Sequence, residues 1–355
     1  MTMRKRMLAV LRGRKHDRVP FVQYDNCAAR TRDIWDLVGR ENMGILKWTS
    51  LHRFEFPLCR FETKDIEKDG RKGVVTTIHT PKGSLVQERL IEPAYGSSHI
   101  TRHFVRTRED YIIFMEYLKD CVVLENTAQF LEDDKWAGSD GLPLVSVGRT
   151  PYQQLWIEWT GLESLCMHLS DFPDVVQECV DMLAGQLRQV FGIVRAAAEK
   201  VPLPFVDIID NITAPAIGPR FFDKYCVPLY RELASMLSES KTLVVAHLDG
   251  NLKPLKDGIA GSGIGGIDSF TPVPVGDTTA AEALQMWPRM KLLLNFPSSV
   301  HLSKPAEVYA HAMKILEEAG HSGSLQIQIS ENVPADCWRT SIPEIVRAIK
   351  DFGTP

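Results

Sequence analysis

The chain has 355 residues, 44% of them hydrophobic and 24% charged, with a formal net charge of −4. That length and balance describe a globular protein able to bury a large core, as one barrel or as two ordinary domains. They exclude the basic footprint of a nucleic-acid binder, and no apolar run approaches the length of a membrane span. Basic residues gather only at Arg4, Lys5, Arg6, Arg12, Arg14, Lys15 and Arg18, where they read as the solvated face of an amphipathic first helix. The first twenty residues lack the apolar stretch and small-residue cleavage site of a signal peptide. The seven cysteines, at 27, 59, 121, 166, 179, 226 and 337, are odd in number and form no CxxC pair. Reduced thiols and a cytoplasmic location are therefore expected.

After the first helical segment, Arg18-Val-Pro-Phe-Val-Gln-Tyr24 is an apolar run that predicts a buried strand. Between about 55 and 105 the texture changes to short alternating stretches, Val74 to Ile78 and Leu85 to Leu90, broken by Thr80-Pro-Lys-Gly-Ser84. That pattern predicts an inserted β-hairpin or meander. Thr107-Arg-Glu-Asp110 has the capping-box spacing and opens a helix towards Leu118. Pro143–Val147 reads as a strand, and 171–200 as a long helical region capped by Asp171, with Pro173 tolerated early. A strand at Phe205–Asp210, a helix over Phe221–Leu237 and a strand at Thr242–Ala246 come next. Gly265–Asp268 and Lys291–Asn295 read as further strands, with helices near Thr279–Gln285 and Pro305–Ala319. A strand at Leu325–Ile329 and a helix around Ile342–Lys350 complete the order.

Strands alternating with helices imply a parallel sheet covered by helices, either a closed eight-stranded barrel or an open doubly wound sheet. No Gly-x-Gly-x-x-Gly follows an early strand, and Gly261-Ser-Gly-Ile-Gly-Gly266 precedes a strand instead of a helix. This favours an α/β fold of the (β/α)8 TIM-barrel type.

In such a barrel, reactive groups sit where strands end. Polar residues stand at these ends: Tyr24, Asp25 and Asn26; Arg149 and Tyr152; Asp210 and Asn211; His247 and Asp249; Asn295; and Glu331. His247 and Asp249 flank one residue of an extended segment, so their side chains point the same way. With Glu331 they would give catalytic zinc three ligands and leave one position open. The same residues would also serve as a metal-free proton-transfer network, or as a His–Asp hydrogen bond that only steadies a loop. Cys337 is a further soft ligand or a packed thiol. Asp210 and Asn211 are either site residues or helix caps. Tyr24, Trp156 and Trp159 line an aromatic pocket or pack in the core.

Several segments, taken in order, carry a family resemblance: Arg18-Val-Pro-Phe21, Gly266-Ile-Asp268-Ser-Phe270, Pro274-Val-Gly276-Asp277-Thr278, Leu293-Leu-Asn295 and Glu331-Asn-Val-Pro334. Over essentially the whole chain these resemble the uroporphyrinogen-decarboxylase superfamily, whose members are single (β/α)8 barrels. The resemblance implies one barrel domain over 1–355 with the β insert at 55–105. True decarboxylases of that superfamily carry an Arg-Gln-Ala-Gly-Arg loop after the first strand. Here the stretch reads Tyr24-Asp-Asn-Cys-Ala-Ala-Arg30-Thr-Arg32, which argues against tetrapyrrole decarboxylation. The chain resembles instead the branch of corrinoid-dependent methyltransferases, whose zinc motif is His-x-Cys with a distant second Cys. His247 matches that histidine, Asp249 stands at the first cysteine position and Glu331 at the last.

The resemblance implies transfer of a methyl group to the cobalt of a corrinoid. Carboxylates in place of thiolates make a harder site suited to an oxygen ligand. That suits a methyl ether, including a methoxylated aromatic, whose alkoxide or phenolate leaves poorly without a Lewis acid or a proton donor. Zinc on His247, Asp249 and Glu331 would serve as the acid, with Tyr24, His247 and Asp210 as catalytic residues. Asn26, Arg149, Tyr152, Asn211 and Asn295 would contact substrate. The chain has no Asp-x-His-x-x-Gly motif, so cobalamin is expected on a separate corrinoid protein, with the small methyl donor as the other partner. Monomer and homodimer both remain open. Two rival expectations use the same barrel: a lyase or decarboxylase gripping a small carboxylate through Arg149 or the Arg30 and Arg32 pair, and a non-catalytic binding protein.

Overall fold

The computed structural model describes residues 1–92, 97–334 and 336–355. Strands β1 (Phe21–Tyr24) and β2 (Gly44–Thr49) open the sheet order. They are followed by β3 (His52–Glu55), β4 (Arg60–Lys68), β5 (Arg71–Thr80), β6 (Gly83–Glu92), β7 (Ser97–Arg102) and β8 (Val122–Glu125). After these come β9 (Gly141–Gly148), β10 (Phe205–Ile212), β11 (Leu243–Leu248), β12 (Gly266–Phe270), β13 (Lys291–Asn295) and β14 (Leu325–Ile329). Two compact units result. One comprises Met1–Leu51, Asn126–Gly148 and Val194–Pro355, the other His52–Glu125 and Arg149–Ile193.

The first unit holds a closed barrel in the order β1-β14-β13-β12-β11-β10-β9-β2. Every neighbouring pair is parallel, and helices surround it, so the fold is the expected (β/α)8 barrel. Its strands are apolar almost throughout, as parallel strands buried on both faces must be. The helix α1 (Met3–Leu11) carries Met3, Met7 and Leu11 on one stripe, and these pack with Val22, Leu46, Leu142, Leu144, Phe205, Val245 and Leu293 of the barrel. The predicted solvated face of α1 is only part of the account, because Arg6 is buried with its guanidinium on Asp17 at 2.8 Å.

The second unit holds the β insert. Strands β4 to β7 form an antiparallel four-stranded sheet, and β3 pairs with β8. Lys68 faces Arg71 across a two-residue turn in which Asp69 and Gly70 both have positive φ, 53° and 70°. An Asp-Gly pair supplies that conformation readily, and its twist matches the flanking strands. Thr107 caps the helix Arg108–Asp120 with the full capping box.

Local details depart from expectation. Strand β2 has no counterpart in the predicted order, because Gly-Ile-Leu-Lys-Trp-Thr is short and lacks a clear period. Asp171 does not cap the long helix: it ends the helix Leu162–Asp171, and Phe172 separates it from Pro173–Ala198. The proline drives the residue before it out of helical geometry; Phe172 has φ −147° and ψ 63°. The single helix expected over Phe221–Leu237 is two, Ala214–Tyr225 and Val227–Met236. All seven cysteines are free thiols, and among the described residues no helix is long and apolar enough to cross a membrane.

Barrel closure between β2 and β9 requires a missing side chain. A Cβ on Gly141 would sit 2.0 Å from the carbonyl oxygen of Ile45, its register partner. Gly141→Ala is expected to lower stability by about 1–3 kcal/mol, the usual effect of overpacking. Urea unfolding of the variant, with an unchanged slope, checks this.

Candidate active site

The C-terminal ends of the barrel strands share one rim, and side chains from β1, β11, β12 and β14 meet there. His247, near the end of β11, is Cα register partner to Asp268 on β12. Its Nδ1 lies 3.0 Å from Asp268 Oδ2. The Tyr24 hydroxyl, at the end of β1, donates to the same oxygen in a short hydrogen bond and lies 3.2 Å from His247 Nδ1. Gln328 of β14 donates its amide to Asp268 Oδ1 at 2.8 Å. Gln326 in turn donates to Gln328 Oε1 at 3.2 Å. On the other side of the imidazole, Nε2 is 4.0 Å from Asp249 Oδ2.

The electrostatics follow from burial. Asp268 is fully buried. Burial alone would raise its pKa, but the hydrogen bonds and charge of His247 and the donors Tyr24 and Gln328 outweigh it, so the carboxyl stays below its ordinary value. The Tyr24 phenol is pushed well above its ordinary value, by burial first and then by Asp268 and Asp207; it stays neutral. Asp249 is raised by burial, opposed by His247 and reinforced by the charges of Glu331 and Asp268. Negative charge is thus crowded around one imidazole. Glu331 adjoins Cys27, whose thiol donates to the Glu331 backbone carbonyl at 3.3 Å; burial, then Glu331, pushes that thiol up to about 11.

Among the described residues, one set of three potential ligands has all its ligand atoms within 4.8 Å of one another, and it is Asp207, His247 and Asp268. Of these only His247 belongs to the predicted set. Asp207 and Asp268, like Gln328, lie within strands, whereas the predicted site residues stand at strand ends. Their only mark in the sequence is an acidic or amide residue inside a short strand, and in β12 and β14 it does not interrupt the pattern.

The remaining predicted residues have varied settings. Asp210, buried on β10, accepts a 2.6 Å hydrogen bond from Tyr230. Asn26 and Asn211 follow or close their strands with positive φ, 62° and 58°, and Ser269 in β12 does the same at 59°. Asparagine tolerates that region, whereas serine there is uncommon. Asn26 is exposed, with Oδ1 accepting from the Thr31 amide at 3.0 Å. Asn295 is fully buried and committed to the rim itself: Oδ1 accepts from the Ser330 amide at 3.0 Å, while Nδ2 donates to Thr271 Oγ1 at 3.4 Å. Arg149 and Tyr152 belong to the second unit, where Arg149 pairs with Glu158 at 3.4 Å and Tyr152 is buried. Trp159, in the same unit, packs on Phe104, Phe114 and Tyr117. Arg30 and Arg32 are exposed, and Cys337 stands at the N-terminus of the helix Trp338–Phe352.

No protein-family profile matches the chain, and no curated protein matches its sequence. Its fold is similar to that of solved structures, among them a methyltransferase from Methanosarcina mazei, with a TM-score of 0.58 and 13% identity over 99% of both chains. At that identity the likeness establishes a shared fold.

The Tyr230 hydroxyl reaches a buried carboxylate at Asp210, and such a bond contributes more than a neutral one. Tyr230→Phe is expected to lower stability by about 1.5–3 kcal/mol. A loss below 0.5 kcal/mol (about the scatter of neutral surface changes) in urea unfolding would show that the bond contributes nothing.

Proposed function

We propose that the chain is a methyltransferase that takes a methyl group from a methyl ether, with methoxylated aromatics as the favoured class, and passes it to the cobalt of a separate corrinoid protein. The observation that carries this reading is the rim constellation itself: one imidazole among carboxylates, in contact with a neutral, buried phenol. Full-length similarity in fold to a solved methyltransferase supports the reaction class.

The side chains fit a zinc ion. His247 Nδ1 is committed to Asp268, and Asp268 also accepts from Tyr24 and Gln328. An ion drawn to Asp207 and Asp268 would have to compete with those donors. Nε2 is the ring nitrogen that faces Asp249, so His247, Asp249 and Glu331 would hold the ion. One nitrogen and carboxylate oxygens make a hard donor set, matched to an oxygen substrate rather than a thiol. Bound zinc would supply Lewis acidity towards the departing oxygen, and the partner's corrinoid would supply the cobalt nucleophile.

The chain's own residues supply the rest. Tyr24 keeps its proton through the neutral range, which makes it the acid available to a departing alkoxide or phenolate. Transfer breaks the methyl carbon–oxygen bond, the leaving oxygen keeps the electron pair, and the Tyr24 proton neutralises it. The hydrogen bond from the Ser330 amide to Asn295 and the hydroxyl pair of Ser269 and Ser330 tie down the rim segment that leads into Glu331.

The purified protein, mixed with a reduced corrinoid protein and a panel of methoxylated aromatics, is expected to give methyl-cobalt in a single turnover. His247→Ala is expected to abolish stoichiometric zinc and slow transfer by about 100-fold or more. Metal-free protein that still transfers methyl groups would overturn the ligand set. Failure to form methyl-cobalt across the panel would overturn the reaction.

A further inference from the structure

The interior of the barrel contains more polar machinery than metal binding requires. Gln326, Gln328 and Asp268 are all buried, and they run from the middle of β14 to β12 as consecutive hydrogen bonds ending on His247. A buried amide or carboxylate left without partners would be strongly destabilising, so such groups persist in a core where they are fully engaged and serve a purpose.

The proton arrangement follows from the acceptors. Asp268 Oδ2 already receives the Tyr24 hydroxyl and faces His247 Nδ1 at 3.0 Å. A carboxylate oxygen cannot donate when ionised, so a bare Nδ1 there would set lone pair against lone pair. Nδ1 must therefore carry the hydrogen. The neutral ring then has its lone pair on Nε2, the nitrogen on the side of Asp249 at 4.0 Å.

We infer that Asp268, held by Gln328, is a positioning residue that fixes the tautomer and orientation of His247, with the hydrogen on Nδ1 and the ring lone pair on Nε2. The inference deepens the reading of His247 as a metal ligand and rests on it for its functional meaning, but the tautomer itself is a property of the metal-free chain. A carboxylate behind a ligating histidine raises the basicity of the ring and holds its plane, and losing it usually weakens metal binding by about 10–100-fold. Gln328 acts one step further back. Its amide donates to Asp268 Oδ1, leaving Oδ2 for Tyr24 and His247.

Two measurements on the full chain test this. In the metal-free protein labelled with nitrogen-15 at histidine, long-range proton–nitrogen spectra are expected to show His247 with hydrogen on Nδ1 and none on Nε2. In Asp268→Asn, hydrogen should distribute over both nitrogens. Titration with Co(II), followed by its visible absorption, should then give affinity about 10–100-fold weaker in Asp268→Asn. Gln328→Leu should shift both readouts in the same direction, with about a tenfold loss at most. Wild-type tautomer and affinity in Asp268→Asn would overturn the inference. If that variant does not fold, Gln328→Leu carries the test, and unchanged readouts in it overturn the inference. A wild-type chain that shows the Nδ1–H tautomer but binds no Co(II) would instead sink the metal reading while leaving the positioning of His247 standing.

Discussion

Closure of the parallel sheet, completed where β1 pairs with β14, is the constraint from which the candidate site follows. Parallel strands with helical returns must all end on the same side. Closing them leaves no free edge and brings the strand ends into a ring. Tyr24 and Asp268 are 244 positions apart in sequence, and His247 and Tyr24 are 223 apart. Neither pair shares a local element. Only closure puts the last residue of the first strand against the strands of the second half of the chain.

Closure also creates an interior in which charge is difficult to hold. Asp207, Asp268, Gln326 and Gln328 are sealed from solvent. Asp268 stays ionised because three donors converge on it, and the resulting field holds the Tyr24 proton in place. The two effects belong together: one carboxylate fixed as an anion holds the neighbouring phenol in its neutral form. Asp249 is pushed the other way, by burial first and then by the charges of Glu331 and Asp268, against the pull of His247. A cation between Asp249 and the imidazole would relieve that repulsion, which is why the proposed metal is drawn to that side of the ring.

Much of the rim was legible before the structure. Tyr24, His247, Asp249 and Asp210 stand out because a polar residue after a run of apolar ones marks a strand end. The partners that organise them were not. Asp268 is flanked by Ile267 and Ser269 inside a strand, and Gln328 alternates with isoleucine in β14, so neither interrupts the pattern. Asn295 shows the opposite case: it stands at a strand end, yet its amide is consumed in tying Ser330 to Thr271. Strand-end position signals proximity to the site, whereas hydrogen-bond commitment decides what each residue does there.

By itself the sequence determined the alternation of strands and helices, the antiparallel insert with its Asp-Gly turn, the capped helix after Thr107 and the chemical type of the residues at the rim. These are local properties, set by periodicity, turn conformation and capping over a few residues. The tertiary structure decided that β2 completes the barrel, that Asp268 faces His247 Nδ1 while Asp249 lies on its Nε2 side, and that Gln328 supports Asp268. Those relations depend on register between strands far apart in the chain, and register is fixed only when the whole sheet closes and every buried polar group must find its partner.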